Sequence, residues 1–194
     1  MRLLILPLLF LATTLFATES AERTVGSATA PVTLDVYSDF QCPHCARLHF
    51  GALKEALGDC VASGKVRIVY HDFPLPQHPF AKLAARYANA AGETGHYEEV
   101  VKQLFASQAE WAVSGKVDAA VAQVLSGETM RKVRALVESD PGLDATVSAD
   151  LSMAGADRIN QTPTIVFVYK GARQKVVGAP SADLLRRYLG EMLK

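Results

Sequence analysis

The stretch that constrains this chain most is "VTLDVYSDFQCPHC", residues 32–45. Its first nine residues are rich in β-branched and aromatic side chains and predict a strand. Beyond it, Leu48, Ala52, Leu53, Ala56 and Leu57 recur at helical spacing, so Cys45–Leu57 predicts a helix. A strand therefore hands over to a helix at Cys42-Pro43-His44-Cys45. "KVRIVYHDF" (65–73) supplies a second strand, stopped by Pro74 and Pro76. Strand, helix, strand is a βαβ unit, with a crossover expected to be right-handed.

The middle of the chain changes character. Residues 78–95, 96–107, 116–125, 127–140 and 143–159 each predict a helix. The end returns to β: a strand over 162–171, a hairpin partner over 172–180, and an amphipathic helix over 181–194 that opens on Ser181 as N-cap. The order is β-α-β, a helical block, then β-β-α. If both ends share one sheet, the helical block is an insertion into an α/β fold. The divisions expected are a signal peptide (1–17), a lead-in segment (18–30), a first α/β part (31–76), the helical insertion (77–158) and a second α/β part (159–194).

The signal peptide is read from a basic start (Met1-Arg2), an apolar run from Leu3 to Phe16, and the small residue Ala17. The run is short for a spanning helix, which needs about 20 apolar residues. Export to an oxidising compartment, the periplasm, follows as an expectation, where disulfides persist. An uncleaved leader would tether the protein instead. The formal charge is zero and no basic block occurs, so nothing points to nucleic acid. The three cysteines, Cys42, Cys45 and Cys60, are an odd count in a chain long enough to need no staples, which favours chemistry over scaffolding.

Four roles are open to Cys42 and Cys45. Haem attachment needs a histidine directly after the second cysteine, and Ala46 stands there. Zinc needs about four ligands, and no second ligand pair follows, so no metal is expected. A structural disulfide across so short a loop would add little stability. The remaining role is a redox dithiol. At the start of a helix, unpaired N–H groups and partial positive charge stabilise a thiolate. His44, if protonated, adds charge, and Pro43 suits an early helical position because it has no N–H to leave unsatisfied. Each pKa unit of thiolate stabilisation is worth about 1.4 kcal/mol. Where it favours only the reduced state, that is about 30 mV towards a more oxidising disulfide. Cys42 is expected to be the attacked sulfur and Cys45, one turn further in, the resolving one. No cofactor beyond the Cys42–Cys45 disulfide is called for.

"APVTLDVYSDFQCPHC", "VYHDFPLPQHPFAKLAARYANAA" and "TPTIVFV" together resemble the DsbA-like thiol–disulfide oxidoreductases. The resemblance spans about residues 30–190 and implies a thioredoxin-like fold interrupted by an all-helical insertion. It also implies a cis-proline loop facing the dithiol and substrate, matched here by Thr162 and Pro163. Glycine often precedes that Thr-Pro in relatives; here Asn160 and Gln161 do. Asn160-Gln161-Thr162 also fits a glycosylation pattern, read as coincidence. Cys60 has no partner for a second disulfide and reads as a structural or free thiol. Too few residues precede the first strand for the dimerisation domain of related isomerases, so a monomer is expected. Two readings fit Asp35: a buried acid that carries the proton to or from Cys45, or an outward-facing acid on a partly exposed strand. His49, His71, His78 and His96 lack metal-ligand spacing and read as structural, and Tyr97, Phe105 and Trp111 as packing of the helical block.

The leading expectation is an exported oxidase that donates the Cys42–Cys45 disulfide to reduced, unfolded secreted proteins. The resemblance implies a quinone-linked membrane partner as its reoxidant. The alternatives are a reductase or isomerase on the same dithiol, or a non-enzymatic peptide-binding or zinc-binding module.

Overall fold

In the computed structural model, β2 (Val32–Ser38) is the central strand of a five-stranded sheet. The structure describes residues 23–194, so the expected signal peptide lies outside the described residues. On one side β2 pairs in parallel with β3 (Val66–Asp72), Leu34 opposite Ile68. On the other it pairs antiparallel with β4 (Thr164–Tyr169), Leu34 opposite Phe167. The hairpin partner β5 (Ala172–Val177) follows a two-residue turn in which Lys170 and Gly171 both have positive φ, the geometry that matches strand twist. The two ends of the chain thus share one sheet, and the thioredoxin-like arrangement with a helical insertion is what forms.

The strand order is β1-β3-β2-β4-β5. The edge strand β1 (Thr24–Val25), antiparallel to β3, lies within the lead-in segment. Two residues carry no period, so only the exposed edge of β3 reveals them. The first helix runs in three stretches: α1 (Pro43–Leu48), a π-helical turn (His49–Leu53) and α2 (Lys54–Ala62). It therefore starts two residues before the expected Cys45 and outlasts Leu57.

The insertion comprises α3 (Ala81–Gly92), α4 (Tyr97–Ala106), α5 (Gln108–Ser114), α6 (Val117–Val121), α7 (Gly127–Ser139) and α8 (Gly142–Ala156). The short α5 escapes the periodicity argument, since its single buried anchor is Trp111, whose indole N–H donates to the Leu104 carbonyl. The helix expected over 116–125 shrinks to α6, one turn and a half. The last helix, α9 (Ala182–Met192), is capped by Ser181, whose hydroxyl accepts from the Leu184 N–H.

Alternation along β2 sends its two faces to different neighbours. Val32, Leu34 and Val36 join Leu48, Leu53, Leu57, Leu185 and Leu189 in a core under the α1–α2 helix and α9. Tyr37 and Val166 turn to the opposite face, with Ala154 of α8. A third core fills the insertion with Trp111, Leu104, Val133 and an alanine-rich α3, and Phe40, Cys42 and Cys45 belong to it. The dithiol therefore sits on the seam between insertion and sheet.

On the α8 face lies a buried charged cluster. The His71 ring bonds Asp150 at 2.9 Å and Asp35 at 3.5 Å. Arg23 reaches both Asp150 and Asp72, and Asn89 of α3 donates to Asp72. Burial works against a charged His71, but its bonds to Asp150 and Asp35 outweigh that and hold its pKa at about 9. A histidine raised above its unfolded value of about 6.5 stabilises the fold fully below that pH, and the contribution fades as pH rises through about 9. His71→Gln should therefore cost about 2–4 kcal/mol near pH 6, with the gap to wild type narrowing towards pH 9 in urea unfolding. A gap that stays constant with pH would contradict a charged His71.

Candidate active site

Cys42 is the N-cap of α1, its backbone extended at φ −81° and ψ 118°, with Pro43 as the first helical residue. Its carbonyl accepts from the N–H groups of Cys45 (3.0 Å) and Ala46 (3.3 Å), closing the first turn. Its sulfur sits at the helix start, where the aligned peptide dipoles place partial positive charge. The Cys45 thiol donates to it, burial opposes, and the Thr162 side chain and the backbone N–H groups of Cys45 and His44 add to the pull. The result is a Cys42 pKa brought down to about 5. For Cys45, burial dominates, and its bond to Cys42 and the negative charge there push it well above the usual thiol range. The two cysteines are thus driven apart by their surroundings, one towards thiolate and one towards thiol. Both are unbridged thiols in this structure, as is the half-buried Cys60.

The structure brings Pro43, Thr162 and Pro163 to the same place. The Thr162–Pro163 peptide bond is cis, and the Cys42 sulfur lies 3.6 Å from the Thr162 carbonyl oxygen. The Thr162 hydroxyl is buried and has no hydrogen-bond partner among the described residues. The exposed His44 ring pairs with Arg47 through Nδ1.

Asp35 is buried but is not brought to the thiols. Leu34 and Val36 face the α1–α2 side, so alternation sends the intervening Asp35 to the α8 side, where His71 and Arg173 take its carboxylate. The acid that meets Cys45 is Asp39, and it does so through its backbone, whose N–H lies 3.4 Å from the Cys45 sulfur. Its carboxylate is 1% exposed as a residue and accepts three donors: Gln41 N–H (2.6 Å), Leu75 N–H (2.7 Å) and the His78 ring (2.8 Å). Gln41 in turn accepts from the Phe80 N–H and donates to the Ala112 carbonyl, both at 2.9 Å. Gln108 donates to the carbonyls of Phe40 and Cys42.

Asp39, Gln41, His78 and Gln108 are therefore site residues that sequence reasoning misses. One signal was available. "SDFQC" sets polar residues in a loop that must be buried, and a buried loop needs partners for its backbone groups. Among the described residues, no three His, Cys, Asp or Glu side chains gather into a group able to hold a metal.

A dithiol at a helix start, beside a cis-proline and on a β-α-β/β-β-α frame, defines a thioredoxin-fold redox protein. The chain belongs to the thioredoxin family, whose model matches residues 18–178. Within it the chain has the fold of the DsbA proteins, with a helical insertion. It superposes on a thioredoxin-like oxidoreductase from Silicibacter pomeroyi with TM-score 0.65 and 26% identity, covering 87% of this chain and 90% of that one. Against alpha-DsbA1 from Wolbachia pipientis the TM-score is 0.71 at 17% identity, with 88% and 89% covered, a likeness of fold. Among curated proteins it is 37% identical over 145 residues to Na(+)/H(+) antiporter NhaA 1 of Mycolicibacterium gilvum, covering 72% of this chain and 22% of that one. The chain spans between 13% and 24% of the curated relatives it matches. Among the described residues no helix is long and apolar enough to cross a membrane.

Asp39→Asn keeps the shape but turns one acceptor oxygen into a donor aimed at N–H groups. It should lose about 1–3 kcal/mol of stability in urea unfolding, and a variant as stable as wild type would show that the loop is held by other groups.

Proposed function

We propose that the protein is an exported dithiol oxidase that donates its Cys42–Cys45 disulfide to reduced, unfolded proteins. The observation that carries this reading is the opposed pull on the two sulfurs, with Cys42 drawn down to about 5 and Cys45 driven upwards. A substrate thiolate attacks Cys42 of the disulfide, the Cys42–Cys45 bond breaks, and Cys45 leaves and takes a proton. A second substrate thiolate then attacks the substrate sulfur of the mixed disulfide. Cys42 leaves as a stable thiolate, the substrate gains a disulfide, and the enzyme holds both electrons. A low Cys42 pKa speeds that departure and stabilises the reduced enzyme, and both effects favour oxidation of substrate.

The Thr162 backbone beside Cys42 supplies an edge along which an extended substrate segment can pair. The basic and apolar leader supports export to the periplasm. The turnover leaves the dithiol reduced, so a reoxidant is required, and a quinone-linked membrane protein is the proposed one. The antiporter name of the curated relatives belongs to chains of which this one matches no more than 24%, and transport forms no part of this reading.

Titration against a glutathione redox buffer tests the direction. The Cys42–Cys45 potential should lie well above thioredoxin's value of about −270 mV. A value near that of thioredoxin would replace the oxidase with a reductase. In parallel, Cys45→Ser should accumulate a mixed disulfide when its Cys42 thiolate attacks a peptide that carries a disulfide, the peptide's other sulfur leaving as a thiol, while Cys42→Ser should form no such adduct at that position.

A further inference from the structure

We infer that Gln108, assisted by Gln41, is a positioning residue for Cys42, so that the helical insertion sets the reactivity of the attacking sulfur. This deepens the dithiol reading above and rests on it.

Gln108 opens α5 and spends its amide on the loop that carries Cys42. Its Nε2 donates to the Phe40 carbonyl at 2.7 Å and to the Cys42 carbonyl at 3.1 Å. Phe40 is buried, and among the described residues its carbonyl has no other donor. One turn further along α5, the Ala112 carbonyl accepts from Gln41 at 2.9 Å, while the Gln41 carbonyl oxygen accepts from the Phe80 N–H at the start of α3. Residues 40–42 are thus tied to the insertion at two helices. The apolar contact runs the same way, since the Phe40 ring packs on Phe105 of α4 with centroids 5.1 Å apart.

These bonds matter to the chemistry because the Cys42 sulfur is placed by its own backbone. The extended N-cap geometry is what holds it at the helix start, against the Thr162 carbonyl. Without Gln108, the buried Phe40 carbonyl has no donor, a state unfavourable enough that the loop shifts towards water. The sulfur then leaves the helix start and its thiolate loses support. Neither glutamine side chain hydrogen-bonds the sulfur, so both act through the backbone. The insertion thus holds the reacting residue in its active conformation.

The test uses the reduced full protein and reads the pH midpoint of Cys42 alkylation together with the equilibrium constant against glutathione. Gln108→Met should raise the midpoint by roughly half to one unit and make the enzyme disulfide about three- to tenfold weaker as an oxidant. Gln108→Glu, which sets an acceptor against two carbonyls, should shift both further. Gln41→Met, with different partners, should move them in the same direction. If Gln108→Met fails to fold, Gln108→Asn, too short to bridge both carbonyls, gives the same readout with a smaller shift. Folded variants at Gln108 and Gln41 with wild-type midpoint and equilibrium constant would overturn the inference. The midpoint is read without substrate, so a wild-type protein inactive as an oxidase would remove the functional proposal and leave this result standing.

Discussion

The placing of the Cys42 sulfur at a helix start, beside the Cys45 thiol, is the constraint on which the rest of the structure depends. A thiolate in a buried setting is costly unless its charge is met by hydrogen bonds. Here the Cys45 thiol supplies the largest pull, the helix start adds to it, and the Thr162-Pro163 loop lies against the sulfur. Each of these is delivered by a different part of the fold. The βαβ unit brings the helix start to the end of β2, and the returning β4 brings Thr162-Pro163 against it. The insertion closes the loop between them.

The polar groups behind the dithiol divide into two sets with separate tasks. Asp39, Gln41, His78 and Gln108 satisfy the loop that carries Cys42 and join it to the insertion. Arg23, Asp35, His71, Asp72, Asn89 and Asp150 occupy the opposite sheet face and lock α8 and α3 onto β3. The second set touches neither cysteine. Burial pushes Asp72 up to about 6 even with Arg23 beside it, so that carboxylate is one whose charge responds near neutral pH. Its place between α3 and Arg23 makes it part of the joint between insertion and sheet.

Much of this was legible in the sequence, for identifiable reasons. The strand over 32–38, the helix beyond Cys42 and the closing β-β-α unit follow from periodicities long enough to read. The dithiol's role follows from its place at their junction. What escaped has physical causes. The strand Thr24–Val25 exists only because β3 offers an unpaired edge, and α5 is a short helix with one anchor. Asp35 drew attention as an acid close to Cys42 in sequence, yet alternation along β2 turns it to the far face, while Asp39, three residues before Cys42, stays at the site. The pairing of the His44 ring with Arg47 is likewise a contact that only the folded helix turn displays. Gln108 lies 66 residues from Cys42, a separation across which only tertiary structure carries information.

The central claim is that this fold makes Cys42 a thiolate at physiological pH while keeping Cys45 a thiol. Following the ultraviolet absorbance of the reduced protein as a function of pH measures this directly, with Cys42→Ser as the reference that assigns the signal. The account predicts one thiolate that forms with a midpoint near pH 5 and disappears in Cys42→Ser. A single transition near the ordinary thiol value of about 8.5 would contradict it.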